Sequence, residues 1–122
     1  MNLNKLLKPR TIAIVGASEK AGFGGDHTRT RDLETECRRA EILVAAAGKA
    51  KMLDGRHVGQ DAIVIDVGIN VDENGKLCGD VDFPSIEPLA SMATPVPGGV
   101  GAVTTAVLAK HLVLAGRRQR GN

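Results

Sequence analysis

Glycine clusters mark the places along this chain where chemistry could be done. Gly16-Ala17-Ser18, Gly22-Phe23-Gly24-Gly25, Ala47-Gly48, Gly68-Ile69-Asn70 and Pro97-Gly98-Gly99-Val100-Gly101 stand apart from one another without a collagen-like period. A residue with no Cβ lets the backbone come close to a ligand, so such loops suit the approach of N–H groups to a phosphate or a flat ring. Four of the clusters follow short apolar runs that end at Val15, Ala46, Val67 and Val96. Runs of this kind read as buried parallel strands, and open parallel sheets bind ligands beyond the strand carboxyl ends. A single glycine loop would be no more than a strand terminator. Four on one rim predict a ligand site.

The elements that must carry this rim follow from local patterning. Strands are expected over Thr11–Gly16, Glu41–Ala46, Ala62–Gly68 and, more briefly, Ser91–Val96. Between the first two, Thr30 or Asp32 caps a helix running to about Ala40, with Leu33, Cys37 and Ala40 on its inner face. Glu73-Asn74-Gly75-Lys76 supplies an Asn-Gly turn, so Val71 to Val81 is expected as a β-hairpin. A short helix is expected over Pro84–Leu89, and an apolar helix over Ala102–Leu114 that lies against the sheet. Asp66 stands in mid-strand, where a hydrogen-bonded structural acid is the better reading than a catalyst. The expected class is α/β, a three-layer Rossmann-like sheet of about four parallel strands in one domain spanning 1–122.

Composition narrows the chemistry. At 122 residues the chain fits one core. It contains no Tyr and no Trp, and Phe23 and Phe83 are its only aromatics of that class. A tyrosine acid, or a tyrosine platform under a flat ring, is therefore excluded. The net charge of +2 owes much to Arg117, Arg118 and Arg120 at the end of the chain, which read as a solvated basic tail and not as a nucleic-acid surface. Cys37 and Cys78 are too few and too far apart for a disulfide framework or a zinc site, which fits a reducing, cytoplasmic setting. No stretch is expected to approach the ~18 residues of a membrane span, and no secretory signal is read at the start.

From His27 to about residue 115 the chain resembles the NAD(P)-binding domain of the methylenetetrahydrofolate dehydrogenase/cyclohydrolase family. The stretches that carry the resemblance are His27–Thr30, Ala40–Lys49, Val64–Asn70, Gly75–Phe83 and Thr94–Gly101, in that order. It implies a domain that binds NADP or NAD in an enzyme interconverting methylene-, methenyl- and formyl-tetrahydrofolate. By the same resemblance His27, Thr28, Arg29 and Thr30 lie near the adenosine ribose and its 2′-phosphate, Ala47 and Gly48 on the cofactor rim, and Gly68, Ile69 and Asn70 beside the nicotinamide. Pro97, Gly98, Gly99 and Gly101 close over the cofactor just before a helix. Read from the residues alone, Arg29 serves equally as a solvated charge beside Asp32, and Asn70 as a turn residue ahead of the hairpin.

The first part of the chain departs from that pattern. Leu7 to Asp26 looks like the opening of a CoA-binding domain of nucleoside-diphosphate-forming acyl-CoA synthetases, which implies CoA, bound through Gly16 to Gly25, as a further ligand less favoured than NADP or NAD. The dehydrogenase family has Gly-Arg-Ser where this chain has Gly16-Ala17-Ser18, and the missing arginine implies weaker selection for a 2′-phosphate. Only eight residues, Glu19 to Asp26, separate Ser18 from His27, whereas a parallel crossover needs a dozen or more. The usual second strand and first helix are therefore expected to be missing. Thr11–Val15 should then form an open sheet edge that invites a homodimer, through that edge or an apolar surface. In the resembled family catalysis relies on a tyrosine and a lysine of a preceding domain. The expectation is thus a truncated or chimeric cofactor module with retained or vestigial NAD(P) binding, against the alternatives of an active dehydrogenase/cyclohydrolase, a CoA-binding module and a structural dimer without a ligand.

Overall fold

The computed structural model describes residues 3–16 and 32–119. After a short helix α1 (Leu3–Leu7), strands β1 (Ile12–Gly16), β2 (Ile42–Ala46), β3 (Ile63–Asp66) and β6 (Met92–Ala93) form one sheet in that order, every pair parallel. Helix α2 (Leu33–Arg38) joins β1 to β2. The hairpin strands β4 (Asn70–Val71) and β5 (Leu77–Cys78) with helix α3 (Phe83–Ile86) lie between β3 and β6, and helix α4 (Val100–Gln119) follows. This is the expected Rossmann-like α/β class with four parallel strands. Among the described residues β1 stands at the end of the strand order, and the segment Glu19 to Asp26, on which the expected loss of the second strand and first helix rests, lies outside them.

Alternation along the strands decides what is buried. Ala13, Leu43, Val64 and Ala93 share one row of the register, and Val15 and Ala45 the row two residues further on. These side chains pack with Cys37 of α2, with Leu53 and Val58 of the connection after β2, and with Ile86 of α3. Burial pushes the Cys37 thiol up to about 11. On the other face Ile12 and Ile14 of β1 are more than half exposed.

Local chemistry explains the ends of the elements. Of the two expected caps, Asp32 is the one within the described residues. Its Oδ1 accepts from the Thr35 N–H at 3.1 Å and its Oδ2 from the Thr35 hydroxyl at 2.6 Å. In the hairpin turn Gly75 takes a φ of +76°, and the Asp72 carboxylate accepts from the N–H groups of Asn74 and Lys76, each at 2.9 Å. The hairpin is shorter than its expected span to Val81 because the N–H groups of Asp80 and Val81 turn to the Asp66 carboxylate instead of a strand partner. β6 likewise stops at Ala93, two residues before Pro95, which has no N–H to continue a ladder.

Two expectations about the last helix are corrected. α4 begins at Val100 and runs 20 residues with none of them buried, so it does not lie against the sheet. Apolar residues lie nearly all round it, from Val103 and Val107 to Leu108, Leu112 and Val113, and apolar composition without one dominant stripe does not direct a helix to one surface. Its length, and a mean hydropathy of 1.2 over 18 of its residues, are enough to span a membrane by length and composition only, so the expectation that no stretch comes near that mark is corrected. Over its most apolar 18 residues the aliphatic side chains outweigh the interruptions by Lys110 and His111.

Truncating the fully buried Leu43 to alanine should cost about 2–5 kcal/mol of unfolding free energy in urea. Gly59→Ala should cost about 1–3 kcal/mol by the same measurement, because a Cβ there meets the carbonyl oxygen of Arg38, which is backbone and cannot swing aside.

Candidate functional site

Two buried carboxylates organise the carboxyl end of the sheet. Asp66, the last residue of β3, is 4% exposed. It accepts backbone N–H bonds from Gly68 at 2.9 Å, Asp80 at 3.1 Å and Val81 at 3.0 Å. Its own N–H donates to the Thr94 hydroxyl at 2.8 Å, tying the end of β3 to the residue after β6. These bonds bear out the reading of Asp66 as a structural acid. Burial pushes its carboxyl above the usual range, the three N–H donors pull the other way, and the neighbouring Asp80 adds to the rise.

Asp80 is fully buried. Its Oδ2 accepts from the N–H groups of Ala47 at 2.6 Å and Gly48 at 3.1 Å, and its Oδ1 from the Lys49 N–H at 3.0 Å and the Asn70 side-chain amide at 2.8 Å. Sequence reasoning assigned no role to this residue. The signal that could have found it was the pair Gly79-Asp80 just after the hairpin, with Gly68 upstream. A Cβ at Gly79 would collide with the Asp66 carboxylate and one at Gly68 with the Asp80 carboxylate, so both glycines are there for close approach.

Beside this network lies a cavity of about 470 Å³ between the loops that follow β3 and β6. Val67, Gly68, Ile69, Leu77, Val100 and the run Pro95–Gly99 line it, with Gly101, Ala102, Thr104 and Thr105 of α4 closing one side. The Val96–Pro97 peptide bond in this wall is cis, and Gly98 has a φ of +99°. The size and apolar walls suit a flat organic group, and residues of the first turn of α4 form part of the wall. A wider depression of about 690 Å³, lined by Lys5, Lys8, Arg10, Glu41, Asp61 and Ser91, lies at the amino ends of the strands. Parallel sheets bind ligands at the opposite end, so the smaller, apolar cavity is the candidate site.

Of the residues expected at the rim, Gly68, Ile69, Pro97, Gly98, Gly99 and Gly101 meet in this one cavity. Gly16 ends β1 in register with Ala46. Ala47 and Gly48 are on the rim, but their N–H groups go to Asp80 and do not bind an external anion. Asn70 does not line the cavity; it pairs with Cys78 in the hairpin and donates to Asp80. Ser18, His27, Thr28, Arg29 and Thr30 lie outside the described residues.

The chain matches the family model described as tetrahydrofolate dehydrogenase/cyclohydrolase, NAD(P)-binding domain, over residues 6–120. That span includes the stretch from Leu7 to Asp26, where the sequence alone suggests a CoA-binding likeness. The bifunctional protein FolD of Carboxydothermus hydrogenoformans is 52% identical over 112 residues, which cover 90% of this chain and 39% of that protein. FolD of Clostridium botulinum (strain 657 / Type Ba4) is 54% identical over 111 residues, covering 91% and 39%. Among solved structures, the bifunctional FolD of Campylobacter jejuni superposes with a TM-score of 0.76 at 37% identity, covering 89% of this chain and 43% of the other. The Trypanosoma brucei FolD, solved with NADP cofactor and an inhibitor, gives 0.70 at 31%, covering 88% and 43%. The chain thus spans about two-fifths of the length of the curated relatives it matches.

The two carboxyl environments should separate in a pH titration followed by carboxyl ¹³C NMR. Asp54, held at about 2 chiefly by its hydrogen bond with the Arg56 side chain, should titrate well below the ordinary 3.8, and Asp66 above it. The stability contributed by Asp54 is present above 3.8 and is lost as pH falls toward about 2. Asp66 has the opposite sign: its folded form holds the proton longer than the unfolded one, so its contribution declines as pH rises from 3.8 through the raised value.

Proposed function

The chain belongs to the tetrahydrofolate dehydrogenase/cyclohydrolase family through its NAD(P)-binding domain, and from that premise we propose that it binds NADP or NAD at the carboxyl rim of its sheet. The observation that carries this reading is the cavity between the loops after β3 and β6, where Gly68, Gly98 and Gly99 bring backbone close and Val67, Ile69 and Leu77 supply apolar walls. A nicotinamide ring bound there would supply a hydride acceptor. The chain's own part is to hold the ring against Ile69 and Val100, keep water from its faces and present the first turn of α4 to an anionic group. Thr28 and Arg29 are the proposed partners of the adenosine end, with a hydroxyl and a fixed charge for a 2′-phosphate.

The proposal assigns binding to this chain and turnover to residues beyond it. With no Tyr anywhere in the sequence, the tyrosine and lysine chemistry that the resemblance implies for the family has no complete counterpart here. Absorbance at 340 nm with methylenetetrahydrofolate and NADP should stay at background, and a steady rise would overturn this part. The same reading includes a cytoplasmic setting, consistent with the free thiols of Cys37 and Cys78. It also includes a homodimer that covers the exposed Ile12 and Ile14 of the edge strand. Light scattering should give the mass of two chains, and the mass of one at all concentrations would remove the dimer from the proposal.

Cofactor binding is tested by calorimetric titration and thermal shift with NADP, NAD and CoA. Either pyridine nucleotide at a hundredfold excess over its Kd should stabilise the fold by about 2.7 kcal/mol, and CoA should not. Ala102→Trp should fill the cavity mouth and weaken nucleotide binding about tenfold or more, with little change in stability because Ala102 is exposed. Absence of heat and of a thermal shift with both pyridine nucleotides would sink the binding claim.

A further inference from the structure

We propose that Asp80 is a positioning residue for cofactor binding, one buried carboxylate that sets the spacing between the loop after β2 and the loop after β3. The inference rests on the nucleotide-binding reading above and adds a residue that contacts no part of the cavity. Three consecutive backbone N–H groups, those of Ala47, Gly48 and Lys49, converge on its carboxylate at 2.6, 3.1 and 3.0 Å. Consecutive amides converging in this way form a concavity that favours an anion, and here the anion is built into the chain. From the other side the Asn70 amide donates to the same carboxylate at 2.8 Å, and the Asp80 N–H is held by Asp66, which also holds Gly68. The loop after β2 is therefore tied to Asn70 directly through the fully buried Asp80, and to Gly68 through Asp80 and Asp66 in series.

The arrangement has a chemical consequence for the rim. With its N–H groups committed inward, the loop from Ala47 to Lys49 has its Cα surface, carbonyl oxygens and the exposed Lys49 side chain left for a nucleotide. Its contribution to affinity is the shape it keeps. A carboxamide at position 80 offers one acceptor oxygen and turns an NH₂ toward N–H donors, so the loop loses part of its anchorage while the apolar core beneath is unchanged. Loss of charge-assisted bonds of this kind is expected to raise the Kd for NADP about tenfold.

The test compares Asp80→Asn and Asn70→Ala with Leu43→Ala, a core variant that lowers stability without touching the rim. NADP affinity is measured by calorimetry at a temperature where circular dichroism shows each protein folded, and amide hydrogen exchange is followed without nucleotide. The expected result is a Kd raised about tenfold in Asp80→Asn and about threefold in Asn70→Ala, with Leu43→Ala at the wild-type value. The amides of Ala47, Gly48 and Lys49 should lose protection in Asp80→Asn while the β2 and β3 amides keep theirs. A Kd no higher than that of Leu43→Ala, or unchanged exchange at those three amides, overturns the proposal. If Asp80→Asn does not fold, Asn70→Ala decides alone: a raised Kd with faster exchange at Lys49 supports the role, and wild-type values in both overturn it. A wild-type chain that binds neither NADP nor NAD overturns the functional reading and the cofactor role of Asp80 together. Wild-type binding with an unchanged rim in the variants overturns the positioning role alone.

Discussion

Two carboxylates buried side by side, Asp66 and Asp80, hold the functional end of this molecule together. Burying one charge is costly unless its lone pairs are met by donors, and burying two near each other doubles the demand. Here the demand is met almost wholly by backbone: three N–H groups reach Asp66, and three more with one side-chain amide reach Asp80. These donors come from the loops after β2 and β3 and from the segment after the hairpin. Satisfying the charges and shaping the rim are therefore one event, and the raised carboxyl of Asp66 is the residual cost of its burial.

Below the rim the fold is carried by one face of a small sheet. Leu43, Ala45 and Val64 bury against Cys37, Leu53 and Ile86, while Ile12 and Ile14 on the opposite face stay exposed and α4 buries nothing. Among the described residues, a 20-residue helix with nothing buried and an outermost strand with Ile12 and Ile14 exposed leave much apolar surface outside the core.

Much of this was legible along the chain, for reasons particular residues show. β2 and β3 were readable because both are continuous apolar runs, the signature of strands covered by their neighbours, and the hairpin because Asn74-Gly75 admits the positive φ its turn requires. Gly68 and Pro97 to Gly101 were readable as site residues because each cluster directly follows a parallel strand, where bare backbone can reach a ligand. The bonds that decide the site were not legible. Asp80 sits 31 to 33 residues from the N–H groups it accepts, a separation at which no local pattern operates. Its effect is to commit the N–H groups of Ala47 and Gly48 to a carboxylate of the chain itself. The exposure of α4 was equally hidden, since apolar composition says that a helix seeks cover without saying whether this chain provides it.

The sequence by itself determined the class of the fold, the order of its strands' appearance, the exclusion of tyrosine chemistry and the family likeness that points to a dinucleotide. These depend on composition, alternation and short-range backbone preference, which are local properties. Tertiary structure alone decided which loops share a cavity, which N–H groups are committed to Asp66 and Asp80, and that α4 buries none of its residues. Each of those depends on how distant segments satisfy one another's charges and apolar surface once the chain has closed on itself.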